Sequence, residues 1–433
     1  MTTTSPTAGL SSPDVGGVRR RTLLVLSAAQ VISGIGVAVG LALSALVVAR
    51  MSGSEAIGGL AGTAAVLGAA LFAIPVARIS SRSGRRHGLT LAYGVAALGA
   101  LLATVAIGAG SWPLMLFGLV LFGGGSAGNL AARYSAADLS PPGTAARHLS
   151  LVIWATTIGS VAGPNLAEPA GRVAAELGLD GNAGAFTLST ITFFVAAVII
   201  TAALRPDPLL LARSLADGKP GAAPSGGPKA AARKGTVRTG LQALRESRNA
   251  RRAIGAIAVS HTAMVSVMSM TPIHLDHGGA SVSVIGVVFS LHIAGMYVLS
   301  PVVGWLADRV GRMPVLIAGM AQLLAAAVLA GAAGEHGVAQ IAVGLTLLGT
   351  GWSCGLVAGS ALLTESAPVE RRPALQGLSD LLMNVCGASG TVAAGVVVGA
   401  LSYGFLGAVV AALVAATAGW LLLPGRRAHL ASA

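Results

Sequence analysis

Residues 253–304 read AIGAIAVSHTAMVSVMSMTPIHLDHGGASVSVIGVVFSLHIAGMYVLSPVVG. Two apolar runs, 253–273 and 283–304, flank a short polar turn, His274-Leu275-Asp276-His277-Gly278-Gly279. Neither run contains Asp, Glu, Lys or Arg, and each is about as long as the roughly 20 residues a helix needs to cross about 30 Å of hydrocarbon. A helix apolar on every face belongs in lipid or deep in a large core. The pair therefore reads as a helical hairpin through a membrane.

The rest of the chain has the same character. Of 433 residues, 54% are hydrophobic and 10% charged, and the mean hydropathy is +0.79. A soluble domain carries about 25% charged residues. Sixty glycines suit closely packed membrane helices. Twelve runs of membrane-spanning length lie near 23–48, 56–77, 89–109, 113–133, 149–169, 185–204, 253–273, 283–304, 314–332, 338–361, 376–398 and 402–423. With the N-terminus inside, only Arg50 and Arg172 of the 28 Lys and Arg fall outside. Glu55, Glu168, Glu176, Asp180, Asp276 and Glu335 fall outside as well, so the bias is one of positive charge, as the positive-inside rule requires.

An all-α integral membrane fold follows, with twelve transmembrane helices in two six-helix halves and both termini cytoplasmic. The expected divisions are a disordered tail 1–21, a first half 22–204, a basic linker 205–252, a second half 253–424 and a tail 425–433. The linker holds eleven Lys and Arg against three acids around a Gly218–Gly227 middle rich in Pro, Gly, Ala and Ser. Such a composition cannot bury a core. Its end, Leu241 to Arg252, is expected as a basic helix on the inner membrane face, where the charge suits anionic lipid and not nucleic acid. Cys354 and Cys386 lie in apolar runs and imply no disulfide framework. Arg19-Arg20-Arg21 leads into a long first span rather than a short signal segment.

After the eighth run comes Gly304-Trp305-Leu306-Ala307-Asp308-Arg309-Val310-Gly311-Arg312. The glycines allow close approach, Asp308 can cap a neighbouring helix, and Arg309 and Arg312 hold the turn at the basic surface. The first half repeats this after its second run as Ala77-Arg78-Ile79-Ser80-Ser81-Arg82-Ser83-Gly84-Arg85-Arg86, with Ala77 for the first Gly and Ser81 for the Asp. Gly159-Ser160-Val161-Ala162-Gly163-Pro164 in the fifth run reads as packing and bending. Ionisable residues within spans are costly and pair or function. Arg133 with Asp138, and Asp380 with Arg371 or Arg372, are the expected ion pairs, and Asp380 is the candidate proton carrier.

The opening stretch carries a second pattern. Met264 and Met268 are four apart in the seventh run, as are His292 and Met296 in the eighth. Four-residue spacing puts each pair on one helix face. Counted by helix rise, Met268, Met264, His292 and Met296 lie roughly 6, 12, 15 and 21 Å below the outer surface. Thioether and imidazole select soft ions such as Cu(I), although Met is ordinarily a filler of apolar cores. His274 and His277, on the outer loop, are candidates for capture, and His261, one turn inward of Met264, for release or packing.

The loop 304–312 resembles the signature of the major facilitator superfamily, and the second half resembles its bacterial copper importers that supply cytochrome oxidase assembly, the CcoA-like group. Residues 264–279, 290–301 and 351–360 carry that likeness, with 128–139 in the first half. The resemblance implies copper ligands at Met264, Met268, His292 and Met296, and a cytoplasmic gate at Gly304, Asp308, Arg309, Gly311 and Arg312. It implies copper uptake by alternating access across a bacterial cytoplasmic membrane, without a cofactor and as a monomer. Two rivals stand beside copper: a carrier of a small organic solute, riboflavin-like or a drug, and a non-transporting metal sensor. An ATP-driven pump is disfavoured, since no Gly-x-x-x-x-Gly-Lys-Ser/Thr loop is present.

Overall fold

The computed structural model describes residues 14–217, 236–334 and 336–423. Among these residues there is no strand, as expected where lipid leaves every backbone group to be satisfied within its own helix. The first half comprises α1 (Val15–Ser52), α2 (Glu55–Ser83), α3 (Arg85–Gly108), α4 (Trp112–Ala137), α5 (Ala145–Glu176) and α6 (Gly181–Ala203). Two short helices follow, α7 (Pro208–Ala216) and α8 (Thr236–Glu246). The second half comprises α9 (Arg248–His277), α10 (Val282–Tyr297), α11 (Ser300–Val310), α12 (Arg312–Gly331), α13 (Val338–Glu365), α14 (Arg372–Ala400) and α15 (Tyr403–Leu422).

Eleven of the described spans are apolar and long enough to cross a membrane, and a bent pair makes twelve. The bent pair is α5, whose parts 145–163 and 165–176 meet at 50°. Residue 164 between them is a proline, which has no N–H for the helix ladder. The eighth span is broken between α10 and α11. Pro301 cannot donate to the carbonyl of Tyr297, and the Ser300 hydroxyl donates to it instead at 2.7 Å.

Each half has its own apolar core, one within residues 25–204 and one mainly within 243–421. Tyr134, Ala137, Ala146, Leu149 and Ile153, from the basic ends of α4 and α5, join the second core. The halves meet as α2 against α14 and α5 against α11. Outside, large apolar side chains such as Leu71, Leu101, Phe117, Phe194 and Val392 are exposed, as lipid-facing positions should be.

Three expectations about segments change. The tail expected over 1–21 is helical from Val15, because the Asp14 carboxylate accepts the Gly17 N–H at 3.0 Å and starts α1 early. The linker expected over 205–252 contains α7 and α8, and its last residues are the first turn of α9. The basic helix expected over Leu241 to Arg252 is interrupted at Ser247, which caps α9. α8 packs on α14 through Gly240, and Glu246 pairs with Arg371 at 2.6 Å. Residues 1–13, 218–235, 335 and 424–433 lie outside the described residues.

Candidate functional site

Two arrangements organise the interior: a seal where the halves meet at the basic end, and an aromatic and charged cluster above it.

The seal is built from the two segments with matching sequences, which are the C-terminal ends of α2 and α11 with the glycine and arginine that follow each. In the second half, Gly304 approaches α5 so closely that a Cβ there would lie 2.7 Å from the carbonyl of Ala146. Asp308 then reaches the start of α5 and accepts from the N–H groups of Ala146 at 3.1 Å and Arg147 at 2.9 Å. A carboxylate at a helix N-terminus satisfies orphan donors and complements the dipole. Arg312 follows Gly311, whose φ is +112°, and pairs with Asp308 at 2.9 Å and Glu365 at 2.7 Å. Arg309 is exposed and lies over the Trp305 ring at 5.3 Å. Gly304, Asp308, Gly311 and Arg312, the residues expected to form a gate, thus lie at one contact between the halves.

The first-half loop, though altered in sequence, makes an equivalent contact with different parts. Here the glycine sits on the opposite helix: a Cβ at Gly377 on α14 would lie 2.3 Å from the Ala77 Cβ on α2. No Asp stands at 81 to reach the start of α14. Instead Arg213 of α7 donates to the carbonyls of Ser81 at 2.9 Å and Glu370 at 3.4 Å, joining both sides. Arg85 follows Gly84, φ +92°, as Arg312 follows Gly311. Its guanidinium is buried and donates to Asp138 at 2.7 Å and to Gln376 at 2.6 Å. Gln376 in turn donates to Thr364. Arg85 was not among the expected functional residues, although its place after a loop glycine echoes Arg312.

The expected ion pairs are therefore repartnered. Asp138 belongs to Arg85, and Arg133 pairs with Asp380 across the two halves at 2.7 Å. Arg371 takes Glu246, while Arg372 donates to the Ala367 carbonyl. Arg133 lies in the last turns of α4 and Asp138 caps its end, but side chains five apart along helical backbone diverge by about 140°, which favours partners on other helices. A small void lies between α2, α4 and α14, lined by Ala77, Ser80, Tyr134, Gln376 and Asp380 among others.

Above the seal, the Trp352 indole donates to His261 Nδ1 at 3.2 Å. Indole nitrogen only donates, so the proton of a neutral His261 sits on Nε2. The Tyr297 ring meets Trp352 edge-on at 5.7 Å. The His261 ring lies against Gly387, where a Cβ would be 2.6 Å from it. Gly387 is two turns along α14 from Asp380, on nearly the same face. Arg133 is tied to the same helix by its pair with Asp380. Its guanidinium also stacks 4.6 Å from the Tyr134 ring. In the first half, Asn129 accepts from Ser33 at 2.6 Å and Tyr93 at 3.1 Å, and Gln30 donates to Thr156. Trp352 and Tyr297 carried no signal in spacing, since single aromatics in apolar runs look like filler.

The Met and His ligand candidates take separate places. His292 is buried against α13, where its Nδ1 meets the Leu345 carbonyl at 2.8 Å and its Nε2 has no partner among the described residues. Met296, one turn on, and Met264 are buried in the second core, and Met268 packs at its edge. α9 and α10 both lean on α13 and touch each other little, so the two pairs flank α13 instead of facing across a shared gap. His274 and His277 are not on a loop: α9 continues through Pro272 to His277 and ends only at the Gly278-Gly279 turn. His274 stacks on Tyr403 at 4.3 Å, and His277 is exposed. No cluster of three or more His, Cys, Asp or Glu occurs among the described residues.

The family model of the Major Facilitator Superfamily matches residues 26–279 and 253–432. An uncharacterised MFS-type transporter of Bacillus subtilis (strain 168), YdeG, is 35% identical over 398 residues, covering 91% of this chain and 90% of the relative. The riboflavin transporter RfnT of Brucella anthropi is 24% identical over 368 residues, 84% of this chain and 85% of that protein. Among solved structures, the proton:xylose symporter XylE bound to 6-bromo-6-deoxy-D-glucose superposes with a TM-score of 0.73. That likeness covers 94% of this chain and 96% of the symporter at 16% identity, and speaks for the fold alone.

Proposed function

This chain belongs to the Major Facilitator Superfamily and is a multi-pass secondary transporter, not an enzyme; on that premise we propose that its cargo is a small organic solute. The observation that carries this is the cluster of Trp352, His261 and Tyr297 from three helices of the second half, whose His261 ring packs on Gly387, two turns along α14 from the Asp380 that pairs with Arg133. Aromatic faces with a few fixed polar groups suit an organic molecule, as in most small-molecule sites. The riboflavin relative, with 24% identity, supports the same class.

In this reading the solute rests on the cluster while the basic end is sealed by Asp308, Arg85, Arg133 and Gly377 and their partners. Transport then requires the α2–α14 and α5–α11 contacts to part as the opposite side closes, the rocking of two halves expected of this architecture. The setting is a bacterial cytoplasmic membrane with the basic end inside, which the distribution of Lys and Arg supports. Anionic lipid headgroups at the basic face fit the same charge.

Copper is the second reading, and His292 favours it. With Nδ1–H donating to Leu345, its Nε2 presents a buried lone pair, the state of a metal-ligating imidazole, and Met296 lies one turn away. It ranks second because Met264 and Met268 lie on a helix that barely meets α10, and His261 is engaged by Trp352. Thermal melting of the purified transporter separates the two. Riboflavin or another member of a panel of small organic solutes should raise the midpoint for the wild type and not for Trp352→Ala. A rise with Cu(I) alone, lost in His292→Ala, would overturn the organic reading.

A further inference from the structure

Arg133 has more hydrogen-bonding capacity than its surroundings use. A guanidinium has five N–H donors. Here Nη2 donates to Tyr134 and Asp380, while Nε and Nη1 have no partner among the described residues. The side chain is 2% exposed, so bulk water does not meet the deficit. Leaving donors of a buried charged group unmade is costly. Asp380 balances the charge of Arg133 but does not fill these donors.

The surroundings define what would. The neighbours are Tyr134 on α4 and, capping that helix at the basic end, Asp138, which Arg85 of α3 holds. On α14 the neighbour is Asp380, and two turns along the same helix Gly387 packs against the His261 ring of α9. Beyond His261 lie the rings of Trp352 and Tyr297. A guanidinium with open donors is thus held on the same face of α14 as the His261 edge of a three-ring aromatic group, two helical turns away. Oxyanions are the natural partners of such donors, and planar rings those of Trp and Tyr faces.

We propose that the central site binds a planar aromatic anion, its carboxylate or equivalent oxyanion taken by Nε and Nη1 of Arg133 and its ring packed on Trp352 and Tyr297. This rests on the organic-solute reading and narrows it to a substrate class. It also gives Asp380 a role: it is the internal carboxylate that holds Arg133 between the halves when no solute is bound. An arriving anion shares the guanidinium with Asp380, weakening the cross-half pair at the moment the seal must part. A neutral solute has no such effect.

The test uses full-length protein in detergent and two matched probes, 2-naphthoate and 2-naphthamide, with binding read by calorimetry. The probes share a ring system and differ in charge. Wild type should bind naphthoate about tenfold or more tighter than naphthamide, the ratio one charged hydrogen bond supplies. Asp380→Asn should tighten naphthoate and leave naphthamide unchanged. Arg133→Gln alone leaves Asp380 buried and unpaired and can misfold, so the decisive variant is Arg133→Gln with Asp380→Asn, which is neutral at both positions. Its naphthoate-to-naphthamide ratio should fall to about one. Equal affinity for both probes in wild type, removed by Trp352→Ala, would sink the anion proposal while leaving the organic-solute reading standing. Binding of neither probe at millimolar concentration would overturn the proposal, and Cu(I) binding in the same preparation would take the organic-solute reading with it. A ratio preserved in the double variant would show that Arg133 is not the anion's partner.

Discussion

Asp308→Ala should loosen the sealed end by a calculable amount. Asp308 sits on α11 in the second half, yet two of its bonds cross to the first half, to the N–H groups of Ala146 at 3.1 Å and Arg147 at 2.9 Å. Its contact with Arg312 lies within its own half, and Arg312 keeps Glu365 when Asp308 is gone. Only the crossing bonds therefore bias one state over the other. Removing a capping carboxylate costs about 0.5–2 kcal/mol, typically 1. In the parted state the first turn of α5 is capped by water, so most of that cost falls on the sealed state. A shift of about 1–2 kcal/mol changes the ratio of parted to sealed molecules roughly five- to thirty-fold, at tenfold per 1.4 kcal/mol. A near-isosteric Ser80→Cys reports it, because Ser80 is buried beside the void between α2, α4 and α14. Maleimide labelling of that thiol, read by peptide mass so that Cys354 and Cys386 are scored apart, should quicken by the same factor in Asp308→Ala. Asp308→Asn keeps one acceptor oxygen and should fall in between. Unchanged labelling of Ser80→Cys in Asp308→Ala would mean that the cap does not hold the halves together.

Two other substitutions probe the same end. Gly377→Ala puts a methyl 2.3 Å from the Ala77 Cβ and 3.1 Å from the Ala73 carbonyl, so α2 and α14 must separate; Ser80→Cys labelling should rise even though Asp308 is intact. Arg85→Ala strands Asp138 in a buried position and should cost about 3–5 kcal/mol, seen as a lowered melting midpoint. Adding Asp138→Ala to it should restore part of that loss, whereas additive losses would show that the pair is not coupled.

What the sequence made legible divides by range. Span number and the two-half layout follow from apolar length and charge placement, because lipid imposes both along the chain itself. The motif at 304–312 was readable because its glycines, Asp308 and arginines lie within a few residues of each other, although the helix that Asp308 caps, 161 positions away, was not. Arg133 and Asp380 were each recognisable as intramembrane charges, but their pairing was not. They are 247 positions apart and meet only because α4 and α14 face each other across the halves. Compensation hid the first-half contact, since its glycine moved from α2 to Gly377 on α14 and Arg213 of a short linker helix took over the work of an acid. The two short helices at the ends of the linker were hidden for a related reason: composition reports average polarity and does not see that Thr239, Gly240 and Ala243 share one small, buried face on α8. The Met and His pairs were correctly placed on single helix faces, yet face spacing says nothing about which neighbour that face meets. For His292 it is α13.

The claim on which the account turns is that the cargo is organic and is held by the Trp352 cluster. Mass spectrometry of extracts from cells expressing wild type, Trp352→Ala, His292→Ala or empty vector tests it without assuming a substrate, since copper and small metabolites are measured in the same samples. At least one small organic solute, an aromatic anion if Arg133 is its partner, should differ in content between wild type and vector and return to the vector level in Trp352→Ala, with copper the same in all four. Copper that differs between wild type and vector and returns to the vector level in His292→Ala, with no organic solute following the expression of the chain, would contradict it.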